Sequence, residues 1–372
     1  VIPFMGRIGF DAQAIQGHSG LGVFTRHLLE SLQLECHSQF ELKLYSRPLP
    51  KGRDFTTLER LAWENLTLPQ LVKKDSVDLL HVPAFAPPFR KPCPLIVTVH
   101  DIAGKLFKNQ MGLASKFYWG KWLPFVVRQA DRIIADSEHT KKDLMQHLKI
   151  PEKTIRVVYP SGHEGFTSDI PAGKIQAVKK NLRVKDRYFL FVGTLEPRKN
   201  IGRVLEAFRI FSKTHPDFQL VLAGSTQFGH GQYIEFLEKK YAFNSEAILT
   251  PGFLSREDLN VLYAGAEALI FPSLYEGFGI PILEAMASGC PVLTSNITST
   301  PEVAGEAGML VNPYNTEAIM HGMEKLAGDQ ALRVEFKQKG FEQIKKFSWQ
   351  KTARETISVY KEFLKYGGRN FT

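Results

Sequence analysis

The chain has 372 residues, more than one hydrophobic core usually supports, so two domains are expected. A composition 44% hydrophobic and 23% charged excludes a disordered or fibrous chain, and the longest apolar runs are strand-sized, too short for a membrane span. The formal charge of +9 asks for an anionic partner; with no zinc-finger spacing, RNA-recognition signature or dense Arg/Lys arm, nucleotide phosphates or an acidic membrane surface fit better than nucleic acid.

In chain order, short apolar runs alternate with longer amphipathic stretches, the pattern of βα units and parallel sheets. Strands are expected at 7–12, 41–46, 78–82, 95–99, 132–135 and 155–159, with helices at 21–32 and 137–148 among them. These make a first Rossmann-like domain over 1–168. Residues 169–186 are polar, contain Pro171 and Gly173 and turn Lys-rich, so the interdomain linker is expected there. A second strand series at 188–192, 219–223, 247–249, 268–271, 291–294 and 308–311 predicts a second such domain over 187–347. In the last stretch, 348–372, Ala353, Ile357, Tyr360 and Leu364 recur at helical spacing, which predicts a terminal helix and tail. The N-terminus shows no basic stretch followed by an apolar one, so no secretion signal is expected. Cys36, Cys93 and Cys290, odd in number and far apart, fit neither a disulfide framework nor a zinc site; a reducing cytoplasm is expected.

Open parallel sheets bind ligands beyond the carboxyl ends of their strands, and four candidate segments fall there. Gly20 and Gly22, after the first strand, either let backbone amides approach a phosphate at a helix start or simply make a tight turn. His100, followed by Asp101, ends a buried strand; it either meets a sugar hydroxyl or is a structural histidine capped by Asp101. Arg198 and Lys199, within Glu196-Pro197-Arg198-Lys199-Asn200, suit a diphosphate leaving group, Arg by bidentate bonds and Lys as a point charge; a solvated charged turn is the other reading. The fourth segment runs from Glu276 through Gly277, Phe278, Gly279, Ile280 and Pro281 to Glu284. Its glycines permit a tight curve and Pro281 suits a first helical turn, so amides around Phe278, Gly279 and Ile280 would face an anion. The two carboxylates then lie at different depths of one site; a glycosidase-like acid/base pair is the alternative use.

Glu276 through Glu284 is a Glu-x7-Glu element, and with it the chain resembles the retaining glycosyltransferases of family 4, which have the GT-B fold. The resemblance extends over Gly9-Phe10-Asp11-Ala12, Thr98-Val99-His100-Asp101, Ala135-Asp136-Ser137, the Glu196–Asn200 turn, Pro301-Glu302-Val303 and Phe347-Ser348-Trp349. It implies an α/β fold of two Rossmann-like domains facing each other across a cleft, with the C-terminal helix crossing back to the first. It also implies that Glu284 holds ribose hydroxyls, that Glu276 with the amides of Phe278, Gly279 and Ile280 holds the transferred sugar and distal phosphate, and that Lys199 with Arg198 neutralises the departing diphosphate. Gly20 and Gly22 would approach the same phosphates, and His100 the sugar. Thr194 stands where many members have arginine, and Tyr159-Pro160-Ser161-Gly162 where they have Asn-Gly.

The reaction implied is transfer with retention from a nucleotide-sugar donor, GDP-mannose by resemblance to bacterial mannosyltransferases, to a glycan or lipid-linked acceptor. No Asp-x-Asp pair occurs, so neither a metal nor another cofactor is expected. A UDP-sugar transferase is the close alternative; a nucleotide-sugar epimerase, a phosphorylase or a non-catalytic nucleotide-sugar sensor are the others. Residues 102–130 contain no acidic residue and interleave Lys105, Lys108, Lys116, Lys121 and Arg128 with six aromatics, which reads either as a peripheral contact with an anionic membrane or as a helix with core aromatics.

Overall fold

The computed structural model describes residues 6–16, 20–36, 39–49, 55–84, 86–107, 116–224, 231–243 and 245–364. The chain forms two compact units: 1–160 with 348–372, and 161–347.

In the first unit, strands β1 (Gly6–Asp11), β2 (Phe40–Tyr45), β3 (Leu79–Val82), β4 (Leu95–Val99), β5 (Arg132–Ala135) and β6 (Ile155–Val157) form one sheet in the order β2-β1-β3-β4-β5-β6. Every neighbouring pair is parallel. All five residues of β4 are buried, as expected of a strand covered on both faces. The helix Trp349–Lys361 belongs to this unit. Ser348 caps its start by accepting from the Lys351 amide. Its buried stripe of Trp349, Ala353, Ile357 and Tyr360 joins the core with Phe24, Leu28 and Leu32 of the helix Gly20–Glu35. The Tyr360 hydroxyl lies 2.7 Å from His81 Nδ1 on β3, and His81 Nε2 lies 2.9 Å from Thr98 Oγ1 on β4, so the polar groups under this helix are paired.

In the second unit, β7 (Arg187–Val192), β8 (Phe218–Ala223), β9 (Ile248–Gly252), β10 (Ala268–Phe271), β11 (Val292–Ser295) and β12 (Gly308–Val311) form a second sheet in the order β12-β11-β10-β7-β8-β9, again all parallel. The chain runs from β7 outward to β9, then returns to place β10 on the other side of β7. The strand order therefore reverses between β7 and β10. In an open parallel sheet, that reversal leaves a crevice outside the carboxyl ends of the two strands.

Residues 169–186 differ from the expected linker. They contain the helix Ala172–Leu182, which lies within the second unit and packs on the helix Arg256–Gly265. Pro171 sits at the N-cap, where proline costs no hydrogen bond, and the Lys179 stem is buried, its ammonium 5.7 Å from the centre of the Tyr188 ring and bonded to Asp186 at 2.9 Å. The first division between units falls instead at 160/161, while the second, at 347/348, coincides with the expected start of the terminal helix and tail.

Candidate active site

The loops leaving β7 and β10 are laced together. Gly193 follows β7 and Gly224 follows β8; a Cβ on Gly224 would lie 1.9 Å from the Gly193 carbonyl oxygen, so only glycine allows this approach. Pro197–Lys199 then makes a single tight turn, ended by Asn200 in the left-handed region at φ 64°. The Asn200 amide donates to the carbonyls of Pro272 (2.9 Å) and Pro313 (2.7 Å), and the Leu274 amide donates to Arg198 O (2.9 Å). The Arg198-Lys199 pair is thus fixed against the loop that carries Glu276.

Glu276 is only 6% exposed, yet it is charged and paired. Lys199 Nζ donates to both its oxygens, at 2.7 and 2.9 Å, and Arg198 Nη1 lies 3.3 Å from Oε2. Burial alone would raise the Glu276 pKa; the charges of Lys199 and Arg198, with the hydrogen bonds from Lys199, outweigh it and hold the carboxyl below its usual range. Arg198 also bonds Tyr275 O (2.8 Å) and the Glu196 carboxylate (2.6 Å), so it braces the loop as well as adding charge. The Ser299 hydroxyl reaches both Glu276 O (2.9 Å) and Phe278 O (2.8 Å), fixing the curve of the backbone between them.

That curve ends at Gly279, whose φ of 113° favours glycine and which forms the N-cap of the helix Ile280–Ala287. No side chain caps this helix start, and Pro281 lies in its first turn. An uncapped helix N-terminus presents amides and positive partial charge to an anion. Further along the same helix, Glu284 accepts a 3.0 Å hydrogen bond from the Tyr263 hydroxyl. Burial raises the Glu284 pKa to about 7, with Tyr263 and the charge of Arg256 opposing it. Of the predicted second-unit residues, Arg198, Lys199 and Glu276 come together in one ion-paired group, while Glu284 makes its own contact with Tyr263.

In the first unit, His100 stands just beyond β4 with both ring nitrogens taken. Nδ1 lies 2.6 Å from Asp136 Oδ2 and Nε2 lies 2.8 Å from Pro83 O. A carboxylate and a carbonyl both accept, so this geometry favours a ring that donates from both nitrogens. Burial favours the neutral ring, but the Asp136 charge and hydrogen bond and the Pro83 carbonyl prevail, and the pKa is raised. The expected cap by Asp101 is replaced: Asp101 Oδ1 accepts from the Ala103 amide (2.8 Å), and Asp136 holds the histidine. Gly20 opens the helix Gly20–Glu35 and Gly22 is buried within it, while His18 and Ser19 lie outside the described residues. A Cβ on Gly20 would meet nothing within 4 Å, so packing does not require glycine there.

Two cations gathered on a buried carboxylate, next to an uncapped helix N-terminus at a point of strand-order reversal, can bind an anion and orient hydroxyls beside it. Comparison with known proteins agrees with that chemistry. Residues 20–161 match the model described as Glycosyltransferase Family 4, and residues 174–343 match that described as Glycosyl transferases group 1. The O-antigen chain mannosyltransferase B of Escherichia coli is 31% identical over 267 residues, which span 72% of this chain and 70% of that protein. The chain belongs to glycosyltransferase family 4.

Another relative in this family, the serotype-specific mannosyltransferase WbdA of Escherichia coli, is 32% identical over 288 residues. That match spans 76% of this chain but 35% of WbdA, about a third of its length. Among solved structures, sucrose-phosphate synthase of Thermosynechococcus elongatus superimposes with a TM-score of 0.75 at 19% identity, covering 96% of this chain and 98% of that one. The fold is the GT-B type.

Sequence reasoning missed Ser299, Tyr263 and Asp136 as supports of the predicted residues. Each meets its partner 21 to 36 residues away in the chain, and no local motif signals such a contact. Asp136 and Ser137 stood in the quoted family motif, which was the one available pointer.

Proposed function

We propose that this family 4 protein transfers a hexose, mannose from GDP-mannose, to a glycan or lipid-linked acceptor with retention of anomeric configuration and without a metal ion. The observation that carries the proposal is the Lys199–Glu276–Arg198 group at the reversal between β7 and β10. The donor assignment draws on the mannosyltransferases to which the chain is similar.

In this reading, Lys199 supplies positive charge to the diphosphate, and the amides at the start of the helix Ile280–Ala287 add hydrogen bonds. Glu276 turns an oxygen to the sugar hydroxyls, and Glu284 accepts from the ribose. In the first unit, His100 takes no part in proton transfer, because Asp136 and Pro83 already occupy both its ring nitrogens. The acceptor hydroxyl attacks the anomeric carbon on the face from which the phosphate leaves. The new C–O bond forms as the sugar–phosphate bond breaks, and the hydroxyl proton passes to the leaving phosphate oxygen. The protein positions the reactants and stabilises the departing charge, and no side chain serves as a nucleophile. The absence of an Asp-x-Asp pair supports the assignment of the metal's task to cations and amides. The three cysteines are free, which supports a reducing, cytoplasmic setting.

A thermal-shift panel of GDP-, UDP-, dTDP- and ADP-sugars tests the reading, since a ligand that binds only the folded state raises its stability. Stabilisation by GDP-mannose above the others is expected. A preference for a UDP-sugar would replace the donor, and no response to any member would reject a nucleotide-sugar site.

A further inference from the structure

The basic, aromatic stretch 102–130 does not form one amphipathic helix: Tyr118 is buried in a small core with Ala86 and Val126, Trp119 and Trp122 are half-buried, and Lys108 lies outside the described residues. A more consequential arrangement lies in the second unit, in the loop that leaves β11. Ser295, Ser299 and Thr300 of this loop are fully buried. The Thr300 hydroxyl lies 2.8 Å from Ser295 O and 3.0 Å from Ile297 O, which closes the loop on itself, and the Asn296 amide ties it to Val311 O at 2.9 Å. Within it stands Thr298 at φ 61°, the only β-branched residue at positive φ among the described residues. Its hydroxyl is buried and has no hydrogen-bond partner among them. A β-branched side chain is held in the left-handed region only where its surroundings over-determine it, and such strain gathers at working sites.

The strained residue sets the place of the next one. The Ser299 hydroxyl reaches Glu276 O at 2.9 Å and Phe278 O at 2.8 Å, two carbonyls that alternate along the chain. A peptide unit is planar and trans, so the N–H that follows each carbonyl points the opposite way. Drawing both carbonyls to one hydroxyl therefore turns the N–H groups of Gly277 and Gly279 away from Ser299, toward a common side. Backbone N–H groups aimed in one direction make a concavity for an anion. The Gly279 amide matters most. At the start of the helix Ile280–Ala287, Pro281 has no N–H to offer and the Ile282 N–H is taken by Gly279 O at 3.0 Å. An anion at this helix start relies on the amides of Gly279 and Ile280, and Ser299 sets the direction of the first.

We propose that Ser299 is a positioning residue for the distal phosphate of the donor. It keeps the Glu276 and Phe278 carbonyls on its own side so that the Gly279 amide faces the diphosphate, and the left-handed Thr298 keeps Ser299 in place. The proposal rests on the donor site proposed above and adds to it a side chain that touches no substrate: a fully buried hydroxyl bonded to two carbonyls acts on the ligand through the backbone alone.

Calorimetric titration of GDP, UDP, GMP and UMP into the parent chain, Ser299→Ala and Ser299→Thr tests the proposal. Ser299→Ala should bind the diphosphate that the parent prefers about tenfold more weakly, the effect of one hydrogen bond to a charged group, and the matching monophosphate within about twofold of the parent. Retained monophosphate binding also shows that the variant is folded. Ser299→Thr keeps a hydroxyl and should recover most of the diphosphate affinity, whereas a residue that merely fills space predicts further loss from the added methyl. Undiminished diphosphate binding by the alanine variant, equal losses of diphosphate and monophosphate, or a threonine variant as weak as the alanine one would overturn the proposal and leave the donor site standing. A parent chain that binds neither diphosphate more tightly than its monophosphate would overturn the donor site and the proposal together.

Discussion

The Lys199 ammonium lies 2.7 and 2.9 Å from the two carboxylate oxygens of Glu276, so one cation bridges both oxygens of a buried anion. The pair is held from both sides. Asn200 anchors the lysine turn through Pro272 and Pro313, and Ser299 anchors the glutamate loop. A charge fixed in this way needs little reorganisation when an anion such as the proposed diphosphate arrives or departs, which is the condition under which electrostatic stabilisation is strongest.

Lys199→Ala should therefore lower kcat/KM about a hundredfold, the loss expected for one charged transition-state contact. Steady-state kinetics of transfer measures it. Lys199→Arg should recover little of the loss, since the bulkier guanidinium would carry its charge in a different place from the ammonium held 2.7 and 2.9 Å from the Glu276 oxygens. Near-normal rates for the alanine variant would remove Lys199 from the reaction.

Donor binding should depend on pH through Glu284. Its pKa is raised to about 7, so its carboxyl gains a proton as pH falls through that value and becomes a weaker acceptor for ribose hydroxyls. Nucleotide affinity should decline from pH 8 to pH 6, and Glu284→Gln should flatten the profile. Tyr263→Phe removes the hydrogen bond that opposes the effect of burial, so the midpoint should move to higher pH. Isothermal titration across this range measures both shifts.

Glu64 gives a stability prediction with the opposite slope from an ion-paired acid. Burial raises its pKa to about 8, with Tyr118 and Arg60 opposing and the nearby Asp11 adding to the shift. The folded chain holds this proton where the unfolded chain has lost it. Its contribution is therefore full below the unfolded value near 4.5 and is lost as pH rises through about 8. Glu64→Gln should be stabilising by a few kcal/mol relative to the parent at pH 9, and much less so at pH 5. Denaturant melts at the two pH values read the difference.

Much of the fold is legible in the chain because buried parallel strands are short, nearly continuous apolar runs. Residues 95–99, 132–135 and 268–271 coincide with β4, β5 and β10, and 308–311 with β12, an edge strand of which only Val311 is buried. The terminal helix was equally visible, since Ala353, Ile357, Tyr360 and Leu364 keep helical spacing and are all buried. Strand order was not legible: nothing local in 268–271 says that β10 pairs with β7 rather than β9. The 169–186 stretch misled because Pro171 and Gly173 signal a break, whereas proline suits a helix start and the buried Lys179 stem replaces an apolar contact. At the site, the charged and glycine residues were visible as motifs. The supports given by Tyr263, Ser299 and Asp136 depend on sheet order, so they appear only in three dimensions.

The C-terminal helix should contribute strongly to the stability of the first unit. Ile357→Ala removes a buried side chain from a packed stripe and should cost ~2–5 kcal/mol. Chemical denaturation followed by tryptophan fluorescence measures it, with Trp349 a reporter in the same core. A change under 1 kcal/mol would mean that the stripe tolerates the cavity far better than close packing allows.

Calorimetric titration of GDP-mannose in the presence of chelator, comparing the parent chain with Glu284→Ala, bears most directly on the proposed donor site at the β7/β10 reversal. One binding site per chain, undiminished by chelator and weakened about a hundredfold by the substitution, is the predicted result. Equal affinity in the two proteins, or binding that appears only when a divalent metal is added, would contradict it.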